Sequence, residues 1–196
     1  MRKALDRLYI ASGWTGALFI ALICVLVFVQ VLLNLVDRLS SLLTGSAIGL
    51  SIPSYSDFTG FFLAAASFFA LAYTLREGGH IRVSLVIQNL APGVRHFVEI
   101  WCVAAALAAS GYFAWYMALL VGESFTYNDL SPGIVAVPIW IPQSAVLAGL
   151  AVLSIALLDD LVALLGGRKP SYDGKGENLL EGEEPVPVLE RGAGHE

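Results

Sequence analysis

Between Arg7 and Asp37 the chain runs for 29 residues without a charged side chain. A signal peptide's apolar region is shorter and ends in small residues suited to cleavage, so this run reads as a retained membrane helix. At 1.5 Å per residue it could extend about 43 Å, more than a hydrocarbon core of about 30 Å requires. Its far end therefore belongs at the interface. From Leu32 the apolar residues fall at helical spacing, while Asp37, Arg38, Ser40 and Ser41 share another face. That pattern predicts an amphipathic turn or helix lying on the membrane surface.

Three further apolar runs follow, at residues 58–75, 100–122 and about 139–165. With 57% hydrophobic and 14% charged residues, the chain is far from the average of soluble domains. The expected fold class is an all-α integral membrane protein with four transmembrane helices and interfacial amphipathic segments, both termini in the cytoplasm. The expected divisions are a basic cytoplasmic N-terminus (1–7), a four-helix membrane domain (8–166) and an acidic, disordered cytoplasmic tail (167–196).

Orientation follows from the basic residues. Ten of the eleven Lys and Arg fall at the N-terminus, between the second and third runs, or in the tail; Arg38 is the exception. The positive-inside rule then puts both termini and the central bend in the cytoplasm.

Local signals set the helix ends. Ser54 followed by Asp57 has capping-box spacing at the start of helix two. Pro138 and Pro142 sit where helix four begins, and Gly166-Gly167 is a stop signal. Residues 84–92 are apolar on one side and suit a surface-lying helix. Helix three carries Ala104, Ala105, Ala106, Ala108, Ala109, Ser110 and Gly111. Small residues allow close helix approach in lipid, so helix three is expected at the centre of the bundle.

Catalytic signatures are absent: there is no phosphate-binding glycine loop, no nucleophile elbow and no paired metal-ligating histidines on one helix. His80 and His96 fall at the cytoplasmic interface and His195 in the tail, which does not suit haem ligation at mid-membrane depth. No cofactor is expected, no enzyme activity, and no nucleic-acid partner. Cys24 and Cys102 lie inside apolar runs as expected buried small hydrophobes. No helix midpoint carries a charge, so an ion path of the usual kind is not expected. Gln30, Asn34, Ser67, Ser110 and Gln143 are expected to serve as interhelical hydrogen-bonding groups. Glu99 follows Arg95 by four residues and is expected to pair with it. Asp159 and Asp160 are expected to be solvated at headgroup level, with a cationic residue of a partner as the alternative.

The bend at residues 76–83 reads Arg-Glu-Gly-Gly-His-Ile-Arg-Val. Helix two ending in Leu75-Arg76, then glycine, His80-Ile81 and Val83, resembles the small membrane subunit of tripartite ATP-independent periplasmic (TRAP) transporters, the DctQ type. Gln30-Val31, an acidic Asp57 opening helix two, and Pro138-Ile139-Trp140 with Pro142 extend the resemblance across residues 5–165. The 44–55 loop and the acidic tail are not part of it.

The resemblance implies a multi-pass protein of the bacterial inner membrane, embedded in the lipid bilayer beside a large multi-helix subunit that holds the substrate and sodium sites. A periplasmic binding protein would deliver the ligand, commonly an organic acid. The small subunit would brace the scaffold against which the large subunit's transport domain moves. Arg76, Gly79, His80, Arg82, Asp57 and Glu99 are the structural or partner-contact candidates. Arg76 is expected to reach the headgroups, with His80 near Glu99. The alternative is a self-associating four-helix assembly factor or channel-like oligomer, with helix three as its seam.

Overall fold

The computed structural model describes residues 2–46, 48–77 and 92–167. Within them the chain forms four helices: α1 (Arg2–Thr44), α2 (Tyr55–Arg76), α3 (Pro92–Tyr127) and α4 (Trp140–Leu165). Each is long and apolar enough to cross a membrane. No strand forms among the described residues; one isolated bridge joins Leu130 to Pro138. The protein is therefore an all-α integral membrane protein, as its apolar runs require.

The helices pack in the spatial order α1, α2, α4, α3, with α1 leaning lightly on α4. Helix α3 makes extensive contact with α4 alone, so it lies at the edge and not at the centre. The error came from reading small residues as the determinant. What faces α4 is a stripe at Val103, Leu107, Ser110, Ala114, Met117, Val121 and Ser124, all wholly or partly buried. Their alternating steps of four and three are the period of a left-handed helix pair. Ala105, Ala108 and Ala109 lie on the outer surface.

Close approach occurs instead where α2 meets its two neighbours. Ser12 donates a hydrogen bond to the Phe69 carbonyl of α2 at 2.5 Å. One turn on, a Cβ at Gly16 would lie 3.1 Å from the Ala66 carbonyl oxygen. On the other side of α2, a Cβ at Gly149 of α4 would lie 2.6 Å from the backbone of Phe68. Ala65, Ala66 and Ala72 are buried at these crossings. With no apolar driving force between helices in lipid, such backbone-level packing holds the bundle together.

Helix α1 continues without a break through the segment expected to lie on the surface. Its inward positions (Tyr9, Ser12, Gly16, Phe19, Ile23, Leu26, Gln30, Leu33, Asp37, Ser40) keep the same four-three alternation to the end. Residues 48–54 fold back along its polar side, where Asp37 accepts from Gly49 N at 2.7 Å and Gln30 Oε1 from Ile52 N at 2.8 Å. The amphipathic face is thus met by the chain itself. At the other end of the sequence Gly167 takes φ +67°, and Gly166 N and Gly167 N bond back to Val162 and Leu164, ending α4 as read.

Cys24 and Cys102 are both exposed on the outside of the bundle, which corrects their expected burial. Helices this apolar need not hide a small hydrophobe from lipid. Sidedness is checked by single-cysteine labelling in a background without these two. Cysteines at Gly79 and Gly174 should react only from the cytoplasm and one at Ser131 only from the periplasm. Labelling of Gly79 from outside would reverse the assignment.

Candidate functional site: polar clusters at the two ends of the bundle

At the end bearing the N-terminus, Arg76 closes α2 and turns toward α1. Its Nη2 lies 2.5 Å from Asp6 Oδ1, and its guanidinium sits 5.5 Å from the centroid of the Tyr9 ring. Tyr9 is 3% exposed, packed with Ala72 and Ala156 and flanked by Leu5, Leu75 and Val152. Three helices therefore converge on one ring. Asp159 and Asp160 of α4 lie within electrostatic range of that tyrosine, and Asp160 is 3% exposed. This corrects two expectations. Arg76 spends its charge on α1 instead of the headgroups, and Asp160 is buried instead of solvated. Neither was visible without knowing that α1 and α4 meet here.

Two atoms of this cluster are left over. The Tyr9 hydroxyl and Arg76 Nη1 are buried and hydrogen-bond to nothing among the described residues. A buried donor without a partner is costly, so these are the atoms through which a water or a neighbouring chain would gain most. Arg95 pairs with Glu99 at 3.2 Å on the same helix, as the spacing predicted. Gly79, His80 and Arg82 lie outside the described residues, as do the surface helix at residues 84–92, apart from Pro92, and the tail from residue 168.

The opposite end is organised around the start of α2. Ser54 has φ 57° and makes no side-chain cap, so the capping-box reading is wrong. Its Oγ instead accepts from Val135 N at 3.0 Å, across 81 residues of sequence. The loop it holds is itself closed, with Ser131 N bonding to Val137 O at 2.9 Å and Val137 N to Ser131 Oγ at 3.0 Å. Asp57 stands in the first turn of α2, its carboxylate packed so close to Gly133 that a Cβ there would overlap it. A side chain at position 133 has no room. Asp57 thus seats the α3–α4 loop on α2, a role that its place near a helix start did not reveal.

Of the polar groups assigned to interhelical bonding, Ser110 fulfils it, accepting from Ser154 Oγ at 3.2 Å. Gln30 serves Asn34 and the return segment, Ser67 bonds within its own helix, and Gln143 Oε1 is buried without a partner among the described residues. Ser12, Asp6 and Tyr9 were missed altogether. An acid three residues before a tyrosine in a helix is too common a pattern to single out.

Among the described residues no group of three or more His, Cys, Asp or Glu could hold a metal ion. Among the described residues the charged side chains gather toward the ends of a multi-pass bundle. Residues 23–167 match the family described as tripartite ATP-independent periplasmic transporters, DctQ component. The chain belongs to this family and is a small membrane subunit of a TRAP transporter, working with other subunits. No curated protein and no solved structure matched it.

Proposed function

We infer that the chain braces the large subunit of a bacterial inner-membrane TRAP transporter during sodium-coupled uptake of an organic acid delivered by a periplasmic binding protein. The family match over residues 23–167 carries the reading. The distribution of polar groups supports it: within the described spans they tie helices and loops together, as Ser12, Gln30 and Ser110 do. Midplane substrate sites in secondary transporters are built from broken helices, and α1 to α4 are each continuous. The chain contributes rigidity, and substrate and sodium belong to its partner.

Reconstitution tests this. In liposomes with an inward sodium gradient, the purified chain alone should accumulate no organic acid. Adding the large subunit and loaded binding protein should produce sodium-dependent uptake. Uptake by the chain alone would refute the bracing role, and a self-assembled pore of this chain would show instead as gradient-independent leakage.

A further inference from the structure

The outer face of α3 carries polar aromatic groups at a depth where lipid offers them nothing. Ser154 of α4 donates to Ser110 of α3 at 3.2 Å, which ties the depth of one helix to that of the other. Helix α4 runs from Trp140 to Leu165, so its midpoint lies about 2 Å from Ser154. Ser110 therefore sits near the centre of the bilayer. Tyr112, Trp115 and Tyr116 follow it within about 9 Å along the axis.

All three look away from α4. Tyr112 lies about 200° around the helix from Ser110, and Trp115 and Tyr116 share its side at steps of three and four. They are 59%, 66% and 54% exposed, and the rings of Tyr112 and Tyr116 stand 4.6 Å apart. Neither hydroxyl nor the indole N–H is hydrogen-bonded to a described residue. The headgroups begin about 15 Å from the bilayer centre, beyond the reach of a tyrosine side chain held there. Acyl chains can neither donate nor accept, and a hydroxyl left unpaired among them is costly. Whatever covers this face must bring hydrogen-bonding groups to the same depth.

A second copy of the chain does so by symmetry. Two copies oriented alike place every residue at one depth, and a twofold axis along the membrane normal sets like against like. A hydroxyl both donates and accepts, so a tyrosine can satisfy its own counterpart, with a lone pair left for the Trp115 N–H. Charge does not oppose the pairing. Helix α3 has no charged residue from Ile100 to Gly122, and Glu123 lies about 17 Å from the centre, among headgroups. One and two turns toward the cytoplasm the same face narrows to Ala108 and Ala105, both exposed, which lets two backbones approach.

We propose that the outer face of α3 is a self-association surface, through which two copies of this chain pair about a twofold axis. The hydroxyls of Tyr112 and Tyr116 in each copy bond to those of the other within the hydrocarbon. The pairing does not depend on the bracing role inferred above.

The test uses the full chain, produced with its transporter partners in membranes and with Cys24 and Cys102 replaced by serine. Under a lipid-soluble oxidant, Ala105→Cys and Leu119→Cys, both on the line of Tyr112, should each give a disulfide-linked dimer of the chain. Val25→Cys, on the outside of α1, should not. Adding Tyr112→Phe and Tyr116→Phe to Leu119→Cys removes two oxygen atoms and keeps both rings. Dimer yield at a low protein-to-lipid ratio should then fall roughly threefold to tenfold, the effect of one or two interhelical hydrogen bonds. The thermal midpoint of the separated chain should stay unchanged, since neither ring packs on α4. No dimer at either α3 position, equal linking at Val25, or a yield indifferent to the loss of both hydroxyls would overturn the proposal. Each of these results leaves the sodium-dependent uptake assay, and the bracing role it tests, untouched.

Discussion

Gly149→Val should destabilise the protein by about 3 kcal/mol or more, seen as a large fall in the thermal midpoint of the purified chain in detergent. The added atoms have nowhere to go. The nearest neighbours of a Cβ at Gly149 are the backbone carbon, Cβ and carbonyl oxygen of Phe68, at 2.6–2.8 Å, and backbone cannot swing aside as a side-chain tip can. Overpacking of a well-filled site costs about 1–3 kcal/mol when side chains can yield, and more when two helix axes must separate. Gly111→Val is the control, since a Cβ there meets nothing within 4 Å. Valine at Gly111 should be nearly neutral. Equal effects at both positions would mean that α2 and α4 do not cross at Gly149.

The second large effect belongs to Arg76. Arg76→Leu removes the contact with Asp6 and the cation–π contact with Tyr9, and should cost about 1–3 kcal/mol in the same thermal assay. The lower part of that range is favoured by the exposure of the pair, since the side chains are 23% and 41% exposed and solvent screens them. Arg76→Lys should fall between the two, keeping the charge but losing the planar guanidinium that lies over the ring. In a double-mutant cycle with Asp6→Asn the coupling should be near 1 kcal/mol. A coupling of zero, with Arg76→Leu still costly, would assign the whole effect to Tyr9.

The helices themselves were legible because hydrocarbon imposes a length and a composition on whatever crosses it, and residues 8–36 or 58–75 satisfy both on their face. Gly166-Gly167 and Pro142 marked helix ends for equally local reasons. What the sequence hid was pairing. Ser54 and Asp57 satisfy a capping pattern in sequence, yet Ser54 serves Val135 and Asp57 packs against Gly133, partners more than 70 residues away. Likewise the alanines of α3 suggested a central seam, while the contacts with α2 are made by Ser12, Gly16 and Gly149, scattered singly in other helices. The amphipathic end of α1 was seen, but its polar face could equally have met water. Only the fold shows that residues 48–54 occupy it.

The order α1, α2, α4, α3 also bears on what the chain can do by itself. Helices that enclose a lumen must close on themselves, and here the two outermost members, α1 and α3, make no substantial contact among the described residues. The arrangement is a palisade: α2 and α4 touch at backbone level, and the flanking helices add width. The four described helices form an open row and not a closed ring, with a broad flank on either side. An open row of this kind explains why most of the large apolar side chains among the described residues look outward.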